Sequence, residues 1–156
     1  MAWKGGNKFF AHKVEYKGIK FDSTNERDRY IHLCELQRQG VISGLRLQQE
    51  FVLLQPTYKY VPKQLKTKVR YDRRVVEQDA RYTCDFIYEE RGQMVMEEFK
   101  SEQTCKLPDY ILRRKLMIKK IYEHNKKPNR KPWVFREVIY YFKKKGVQKE
   151  ITIHDK

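Results

Sequence analysis

The hydrophobic and polar positions first alternate and then take helical spacing. Residues 12–21 alternate on both sides of a Lys-Gly pair, which predicts a short hairpin around that turn. Residues 22–40 instead repeat apolar side chains at the spacing of an amphipathic helix. Asp22 or Ser23 can cap the start of this helix, and Gly40 follows its end. The chain is therefore expected to begin with a hairpin and a helix.

Apolar runs in the rest of the chain predict five further strands and a second helix. This helix covers residues 106–124, with a proline in its first turn. A tight Glu-Arg-Gly segment predicts a β-hairpin in the middle of the chain, and the late apolar run is typical of an interior strand. The order predicts an α/β fold in which helices flank a central mixed β-sheet. The expected strands are residues 45–54, 81–89, 93–100, 133–142 and 147–153.

The chain is strongly basic: it has 35 Lys and Arg against 20 Asp and Glu, which gives a formal net charge of +15. Such an excess indicates a polyanionic partner such as nucleic acid. Seven cations lie in residues 59–74, and fourteen cations with two acids lie in residues 113–149. Unpaired charge is rarely buried, so we expect an exposed basic insertion at about residues 56–74 in the form of a protruding hairpin. A basic extension at about residues 125–156 completes a single predicted domain.

Several classes of protein are not supported by the sequence. No apolar window is long enough for a transmembrane helix, and the start lacks a signal-peptide pattern, so we expect a cytoplasmic protein without a membrane partner. The motifs of base-reading DNA-binding modules are not visible. The chain has three cysteines and no C-x-x-C pair, which argues against a disulfide scaffold and against a zinc site. The histidines show no metal-binding spacing, and we treat as structural or surface residues His12, His32, His124 and His154.

The central predicted hairpin brings two carboxylates together. If Arg91 and Gly92 form its loop, Asp85 lies opposite Glu98, with Cβ atoms about 5 Å apart. Lys100 lies two residues further along the strand and shares that face. Two carboxylates this close repel unless a cation intervenes, and Mg²⁺ takes such oxygen ligands. The cluster suits phosphodiester hydrolysis; an ordinary surface ion pair at a strand end explains the same residues.

The same residues resemble a known nuclease motif. Asp85, twelve intervening residues and the triplet from Glu98 to Lys100 resemble the D…E-x-K core of the PD-(D/E)XK nuclease superfamily. Upstream, FDSTNERDRYIHLCEL resembles the first helix of that fold. With YTCDFIY and MVMEEFK, the segment is similar to a family of small phage-encoded endonucleases related to Holliday-junction-resolving enzymes. The resemblance covers roughly residues 11–120 and departs at Cys84, where the superfamily usually has proline.

The resemblance implies a restriction-endonuclease-like core and a role for each matching residue. Asp85 and Glu98 would ligate Mg²⁺, with Mn²⁺ able to substitute, and the backbone carbonyl of Phe99 would add a ligand. Glu26 would join them directly or through water. Lys100 would position the nucleophilic water, so the implied catalytic residues are the three carboxylates and this lysine.

Two groups of these residues have simpler explanations. Residues 23–26 form a capping-box sequence, in which Glu26 would bond to the backbone at the helix start. Gln103 and Lys106 follow the E-x-K strand and could reach the scissile phosphate, but a solvated loop explains them as well. The residues expected to contact DNA are Lys63, Lys66, Lys68, Arg70, Gln103, Lys106, Arg113 and Arg114.

The sequence therefore predicts a Mg²⁺-dependent endodeoxyribonuclease. Branched DNA, including Holliday junctions, is the expected substrate in phage recombination or genome processing, inside a bacterial host cell. Cutting a symmetric junction on two strands favours a homodimer. The alternative from another class is a non-catalytic nucleic-acid-binding module on the same fold. A basic RNA-binding protein would leave the paired carboxylates unexplained, and a restriction-type enzyme would need base-reading elements.

Overall fold

The computed structural model of the protein describes residues 13–141 and 147–153. Among the positions discussed above, His12 and His154 lie outside them, as does part of the predicted basic extension. The helices are α1 (Thr24–Arg38) and α2 (Pro108–Asn125), and a short 3₁₀ turn, Thr104–Lys106, precedes α2. The strands are β1 (Val14–Tyr16), β2 (Ile19–Phe21), β3 (Ser43–Leu54), β4 (Thr57–Gln64), β5 (Val69–Glu77), β6 (Ala80–Glu90), β7 (Gln93–Ser101), β8 (Trp133–Tyr141) and β9 (Val147–Ile153).

The hairpin and helix predicted at the start of the chain are confirmed. Lys17 and Gly18 have φ angles of 51° and 77°, the left-handed conformations that a tight two-residue hairpin turn needs. The Ser23 side chain caps α1 by accepting from the backbone N–H of Glu26 at 3.1 Å. Gly40, with φ 75°, lies just beyond the helix end, where a left-handed residue lets the chain turn away.

Five strands form the central sheet in the order β3-β6-β7-β8-β9. The pairs β3–β6, β6–β7 and β8–β9 are antiparallel, whereas β7 and β8 are parallel. A parallel pair needs a crossover connection, and α2 lies in the connection between these two strands. The mixed sheet, the α/β class and the interior position of β8 are thus confirmed. Within the described ranges, neither helix is long and apolar enough to cross a membrane.

Each helix packs on its own hydrophobic cluster. Leu33 of α1 belongs to a cluster with Val95, which we call the α1-side cluster. Met117 of α2 belongs to a second cluster with Met96, the α2-side cluster. Because successive strand residues point to opposite faces, the two clusters cover opposite faces of the sheet. The sheet is therefore buried on both sides at β7.

An irregularity on the two strands β3 and β6 lies beside Asp85. Strict alternation would place Cys84 and Phe86 on one face, yet Cys84 packs in the α2-side cluster and Phe86 in the α1-side cluster. On β3, Gln48 has a left-handed φ of 49°, and the register pairs its neighbours with Cys84 and Phe86. Asp85 therefore lies at the point where the alternation of β6 is interrupted, so that the even-numbered residues before it and after it point to opposite faces of the sheet.

The basic insertion is a separate two-stranded sheet, β4 paired with β5. The prediction of a protruding basic hairpin is confirmed, although the paired segment extends to Glu77. We call residues 57–77 the basic hairpin. All seven of its Lys and Arg residues within 59–74 are exposed, as their unpaired charges require.

Candidate active site

A single ammonium group joins the two predicted carboxylates. Lys100 Nζ donates to Asp85 Oδ2 at 2.9 Å and lies 2.6 Å from Glu98 Oε2. The β6–β7 register runs to Phe86 and Glu97, so Asp85 and Glu98 are the next opposed positions. The prediction that Asp85, Glu98 and Lys100 lie together is confirmed by these contacts; the direct pairing of Asp85 with Glu98 on one face, and the chemical roles of the three residues, remain predictions.

The backbone of β7 takes part in the same cluster. The N–H of Phe99 donates to Asp85 Oδ2 at 2.8 Å. In a regular strand pair this N–H would instead donate to a backbone carbonyl of the neighbouring strand. In an antiparallel ladder the N–H and C=O of one residue face the same neighbouring strand. The carbonyl of Phe99 therefore faces the β6 side as well, which is the side where Asp85 lies.

Glu98 is the most deeply buried acid of the cluster, with its side chain 1% exposed. Its second oxygen, Oε1, and the hydroxyl of Tyr82 are both buried and form no hydrogen bond of standard length among the described residues. The two groups are nevertheless close, and hydrogen bonding from Tyr82 acts to lower the pKa of Glu98. Burial, followed by the charge of Asp85, raises the pKa of Glu98. Leaving a buried acceptor unsatisfied costs about 1–3 kcal/mol, so this oxygen is suited to receive a ligand.

The charges of the cluster do not balance. Burial acts to lower the pKa of Lys100, but Asp85 and Glu98 outweigh it and raise that pKa. The ammonium is therefore held in its charged form, and it supplies one positive charge for two carboxylates. With both carboxylates ionised the cluster would carry an excess of negative charge, which a bound cation would neutralise. Without a cation, the raised pKa of Glu98 favours its neutral form.

Glu26 reaches the cluster from α1 and also helps to cap the helix. Its Oε2 accepts from the backbone N–H of Asp22 at 3.0 Å, one residue before the capping Ser23. Burial and then the charge of Asp85 raise the pKa of Glu26 to about 7, against the lowering effects of the Asp22 hydrogen bond and Lys100. The capping role is confirmed in this modified form. Metal ligation by Glu26 stays a prediction, supported by its closeness to Asp85 and Lys100.

A buried ion pair that the sequence interpretation missed holds α1 against the sheet. Arg29 donates from Nε to Glu97 Oε1 at 2.7 Å and from Nη2 to Glu97 Oε2 at 2.9 Å. The hydroxyl of Tyr88 donates to the same carboxylate at 2.5 Å. Because Arg29 and Glu26 lie three residues apart on α1, this pair also fixes the position of Glu26. The signal was present in the buried stripe Glu26, Arg29 and Leu33, whose spacing is helical although two of its members are charged.

On the α2 side, a second buried acid engages a predicted DNA contact. Glu137 Oε1 accepts from the Tyr110 hydroxyl and from Arg114 Nη1, each at 2.7 Å. The Tyr110 ring also lies 5.8 Å from Lys100 Nζ. Arg114 is therefore bound to the protein, with its side chain only 21% exposed. The structure supports a role for Arg114 in holding Glu137 more than the predicted role in contacting DNA.

The other predicted DNA contacts lie in three places. Arg70 pairs with Asp72 at 2.7 Å within the basic hairpin, and Lys106 pairs with Glu102 at 2.9 Å. Gln103 is exposed at the start of the 3₁₀ turn, and Arg113 is exposed on α2. The remaining residues are exposed and form no ion pair within the described part of the chain; they are Lys63, Lys66 and Lys68.

The residues of the cluster fit a hard divalent cation. Among the described residues, no three His, Cys, Asp or Glu side chains already form a metal-binding group. Mg²⁺ nevertheless needs only one or two carboxylates, because it keeps several waters. Asp85, the unpartnered oxygen of Glu98 and the carbonyl of Phe99 are oxygen donors of the kind that it takes. Glu26 lies close enough to Asp85 for the charge of Asp85 to raise the pKa of Glu26, and it would complete the set.

The chain matches the family model described as "Protein of unknown function (DUF1064)" over residues 6–141, and it belongs to that family. No curated protein matches the chain. No solved structure matches it either. The family description names no activity, so a functional proposal for this protein rests on the geometry of the cluster and on the resemblance of its motif.

Proposed function

We propose that the protein is a Mg²⁺-dependent endonuclease that hydrolyses DNA phosphodiester bonds on a PD-(D/E)XK core. The observation that carries the proposal is the cluster of Asp85, Glu98 and Lys100. It combines two carboxylates, one ammonium group and a buried carboxylate oxygen that accepts no standard hydrogen bond from the part of the chain that the structure describes. The D…E-x-K spacing and the approach of Glu26 from α1 support the same assignment.

Each residue has a distinct role in this proposal. Asp85, Glu98 and the Phe99 carbonyl would hold Mg²⁺, and Glu26 would join them directly or through water. When bound, the ion supplies positive charge for the phosphate and favours ionisation of water. The ammonium of Lys100 orients the attacking water and offsets charge that develops on the phosphate oxygens.

Branched DNA is the substrate class that we propose for this site, in phage recombination or genome processing within a bacterial host cell. The resemblance to junction-resolving enzymes supports this choice, as does a net charge of +15 without a visible base-reading motif. Phosphate contacts position DNA without reading its sequence, which suits recognition of DNA shape. A homodimer would place two such sites on the two strands of a symmetric junction.

The direct test compares cleavage of linear, flap and four-way DNA with and without Mg²⁺. We expect cleavage only with the ion, and more cleavage of the branched substrates. Asp85→Asn should abolish it while DNA binding stays equal or becomes tighter, because a carboxylate that repels the phosphate has gone. Asp28→Asn is the matched control, since Asp28 is exposed on α1 and pairs with Arg27. Cleavage by Asp85→Asn at the wild-type rate would contradict the site.

One observation favours a second candidate, a non-catalytic nucleic-acid-binding module. Lys100 already bonds to both Asp85 and Glu98, so the cluster is also intelligible as an internal ion pair that closes the end of the β6–β7 pair. The same experiment separates the two candidates. A binding module would retain all three DNAs intact at every Mg²⁺ concentration, and Asp85→Asn would then reduce stability without any effect on cleavage.

A further inference from the structure

The basic hairpin has two chemically different faces. Directly opposed residues of an antiparallel pair share a face, and the register places Lys59 opposite Arg74 and Lys63 opposite Arg70. These four exposed side chains form one face, which we call the cationic face. Asp72 is the acid on it, and its carboxylate is occupied by Arg70. This face therefore keeps three cations that form no ion pair among the described residues, namely Lys59, Lys63 and Arg74.

Tyrosines dominate the opposite face, which we call the tyrosine face. The register places Tyr60 opposite Arg73 and Tyr71 opposite Pro62. The Tyr60 and Tyr71 side chains are 67% and 64% exposed, and among the described residues neither ring contacts another ring or a cation. Tyr58 differs, because the guanidinium of Arg73 lies 3.4 Å from its ring centre. Two open aromatic rings thus remain.

The two open rings are diagonal neighbours on the hairpin. Tyr71 is two residues from Arg73, the residue opposite Tyr60, and such diagonal positions lie about 7–8 Å apart. One extended strand of a polymer can therefore contact both rings. A two-stranded hairpin is only marginally stable alone in water, and a cluster of exposed apolar side chains on it marks a binding surface.

Charge decides which partner fits this surface. A second copy of the chain carries the same net charge of +15, and the cationic face and Arg73 would repel it. A polyanion is attracted instead. Aromatic rings beside cations form a stacking platform for single-stranded nucleic acid, in which bases lie on the rings and phosphates meet the cations. In an intact duplex the base faces are already stacked on one another, so only unpaired bases can use such rings.

We propose that the tyrosine face binds unpaired bases through Tyr60 and Tyr71, while the cationic face and the turn between β4 and β5 (residues 65–68) hold the neighbouring phosphates. The inference rests on the proposed function only in taking DNA as the nucleic acid. It adds a substrate class to that function, namely DNA in which unpaired nucleotides adjoin a duplex. The hairpin would then select flaps, tails or opened branch points over blunt duplexes.

Binding without cleavage tests this proposal. Fluorescence anisotropy without divalent cations compares a blunt duplex with the same duplex carrying an unpaired thymidine tail. Tyr60→Leu with Tyr71→Leu should weaken binding of the tailed DNA about tenfold or more, since each stacked base contributes about 1–3 kcal/mol and about 1.4 kcal/mol is tenfold. Binding of the blunt duplex should change less than about twofold on the same reasoning.

Two further variants make the result specific to the rings. Tyr60→Phe with Tyr71→Phe retains both aromatic faces and should bind the tailed DNA like the wild type. Leu112→Ala removes an apolar side chain of α2 that is 60% exposed, and it should leave both affinities unchanged. Unchanged blunt-duplex binding by the leucine pair shows in addition that the protein and its cationic face remain folded.

The proposal is overturned if the leucine pair weakens both DNAs equally or neither of them. It is also overturned if the leucine pair lowers self-association in sedimentation experiments while the preference for the tail persists, because the face would then bind a second copy. A protein that cleaves no DNA would contradict the nuclease proposal, but it would not change the ratio of tailed-duplex to blunt-duplex affinity measured here. The two failures are thus distinguishable.

Discussion

Glu97 and Glu98 are consecutive buried glutamates of β7 that point to opposite faces of the sheet. Glu97 is fully neutralised by the two-point contact with Arg29, whereas Glu98 shares one ammonium group with Asp85 and keeps one oxygen unpartnered. The first arrangement is what a structural carboxylate needs. The second is incomplete, and the two neighbours therefore predict opposite effects for the same glutamate-to-glutamine change.

Glu97→Gln should destabilise the fold. The change leaves the buried guanidinium of Arg29 with only the half-exposed Glu150, 2.9 Å away, as a countercharge. Removing one partner of a buried ion pair costs about 3–5 kcal/mol when the other is left unpaired, so we expect a loss at the lower end of that range. Chemical denaturation followed by circular dichroism measures the free energy of unfolding. Arg38→Met is the control, because it breaks an exposed pair with Glu35 on the same helix and should cost less than about 1 kcal/mol. Equal losses in the two variants would show that the Arg29–Glu97 pair does not hold α1.

Glu98→Gln should leave stability intact and remove activity. Burial and Asp85 raise the pKa of Glu98, which means that its charged form opposes folding above the ordinary pKa of a glutamate. The neutral glutamine removes that opposition, so at pH 8 we expect a free energy of unfolding at least equal to that of the wild type. Cleavage of branched DNA should disappear with the proposed metal ligand. A variant that unfolds as readily as Glu97→Gln, or that still cleaves, would contradict this assignment.

Glu26→Gln tests the role of the residue that both caps α1 and approaches the cluster. Glutamine can still accept from the Asp22 N–H, so stability should change little. Loss of a carboxylate near the metal should lower the cleavage rate about 10–100-fold. A fully active variant of normal stability would restrict Glu26 to the capping role. Glu15→Gln, which changes an exposed glutamate of β1, is the control.

The same variant should alter how stability depends on pH. The pKa of Glu26 is raised from its ordinary value to about 7 by burial and by Asp85, so between pH 4.5 and 7 the folded state binds more protons at this residue than the unfolded state does. The Glu26 contribution therefore makes the wild type less stable as pH rises through that window. Glu26→Gln should lose this contribution, and its stability should fall less over the same window. Parallel pH curves for the two proteins would show that Glu26 titrates normally.

The sequence predicted the elements with clear local signals. Alternation around the Lys-Gly turn, the capping of α1 and the two-residue loop at Arg91-Gly92 are local features, and the structure confirms each of them. The meeting of Asp85, Glu98 and Lys100 followed from counting along one hairpin. These residues were predictable because their contacts depend on neighbours in the chain or on one register.

The missed contacts depend on tertiary packing. Arg29 and Glu97 are 68 residues apart, and a search for apolar stripes overlooks a buried stripe that contains charges. The interrupted alternation of β6 opposite Gln48 also has no local signal in the sequence. Glutamine rarely adopts the left-handed conformation that Gln48 has, so nothing in the sequence marks this position. Likewise, only the fold shows that Arg114 is held by Glu137, which weakens its predicted contact with DNA.

The basic hairpin, rather than α2, should account for the salt dependence of DNA binding. Lys63, Lys66 and Lys68 are exposed and form no ion pair among the described residues, and each phosphate contact contributes about 0.9 to the slope of log K against log salt. Changing all three to glutamine should therefore weaken binding and reduce the slope by roughly 2–3. Adding Arg70→Gln should change it little further, because Arg70 already pairs with Asp72.

The control for this prediction carries the same number of charge changes on α2: Arg113→Gln, Lys115→Gln and Lys119→Gln, all at exposed positions. Titrations at several salt concentrations in the absence of Mg²⁺ give both slopes without interference from cleavage. Hydrolysis at saturating DNA should be retained in the hairpin variant, because its changes lie on β4 and the β4–β5 turn and the carboxylates lie on β6 and β7. The opposite result would be a smaller salt slope in the α2 variant and an unchanged slope in the hairpin variant. It would show that the DNA follows the basic surface of residues 113–149 and that the hairpin is not the main phosphate-binding element.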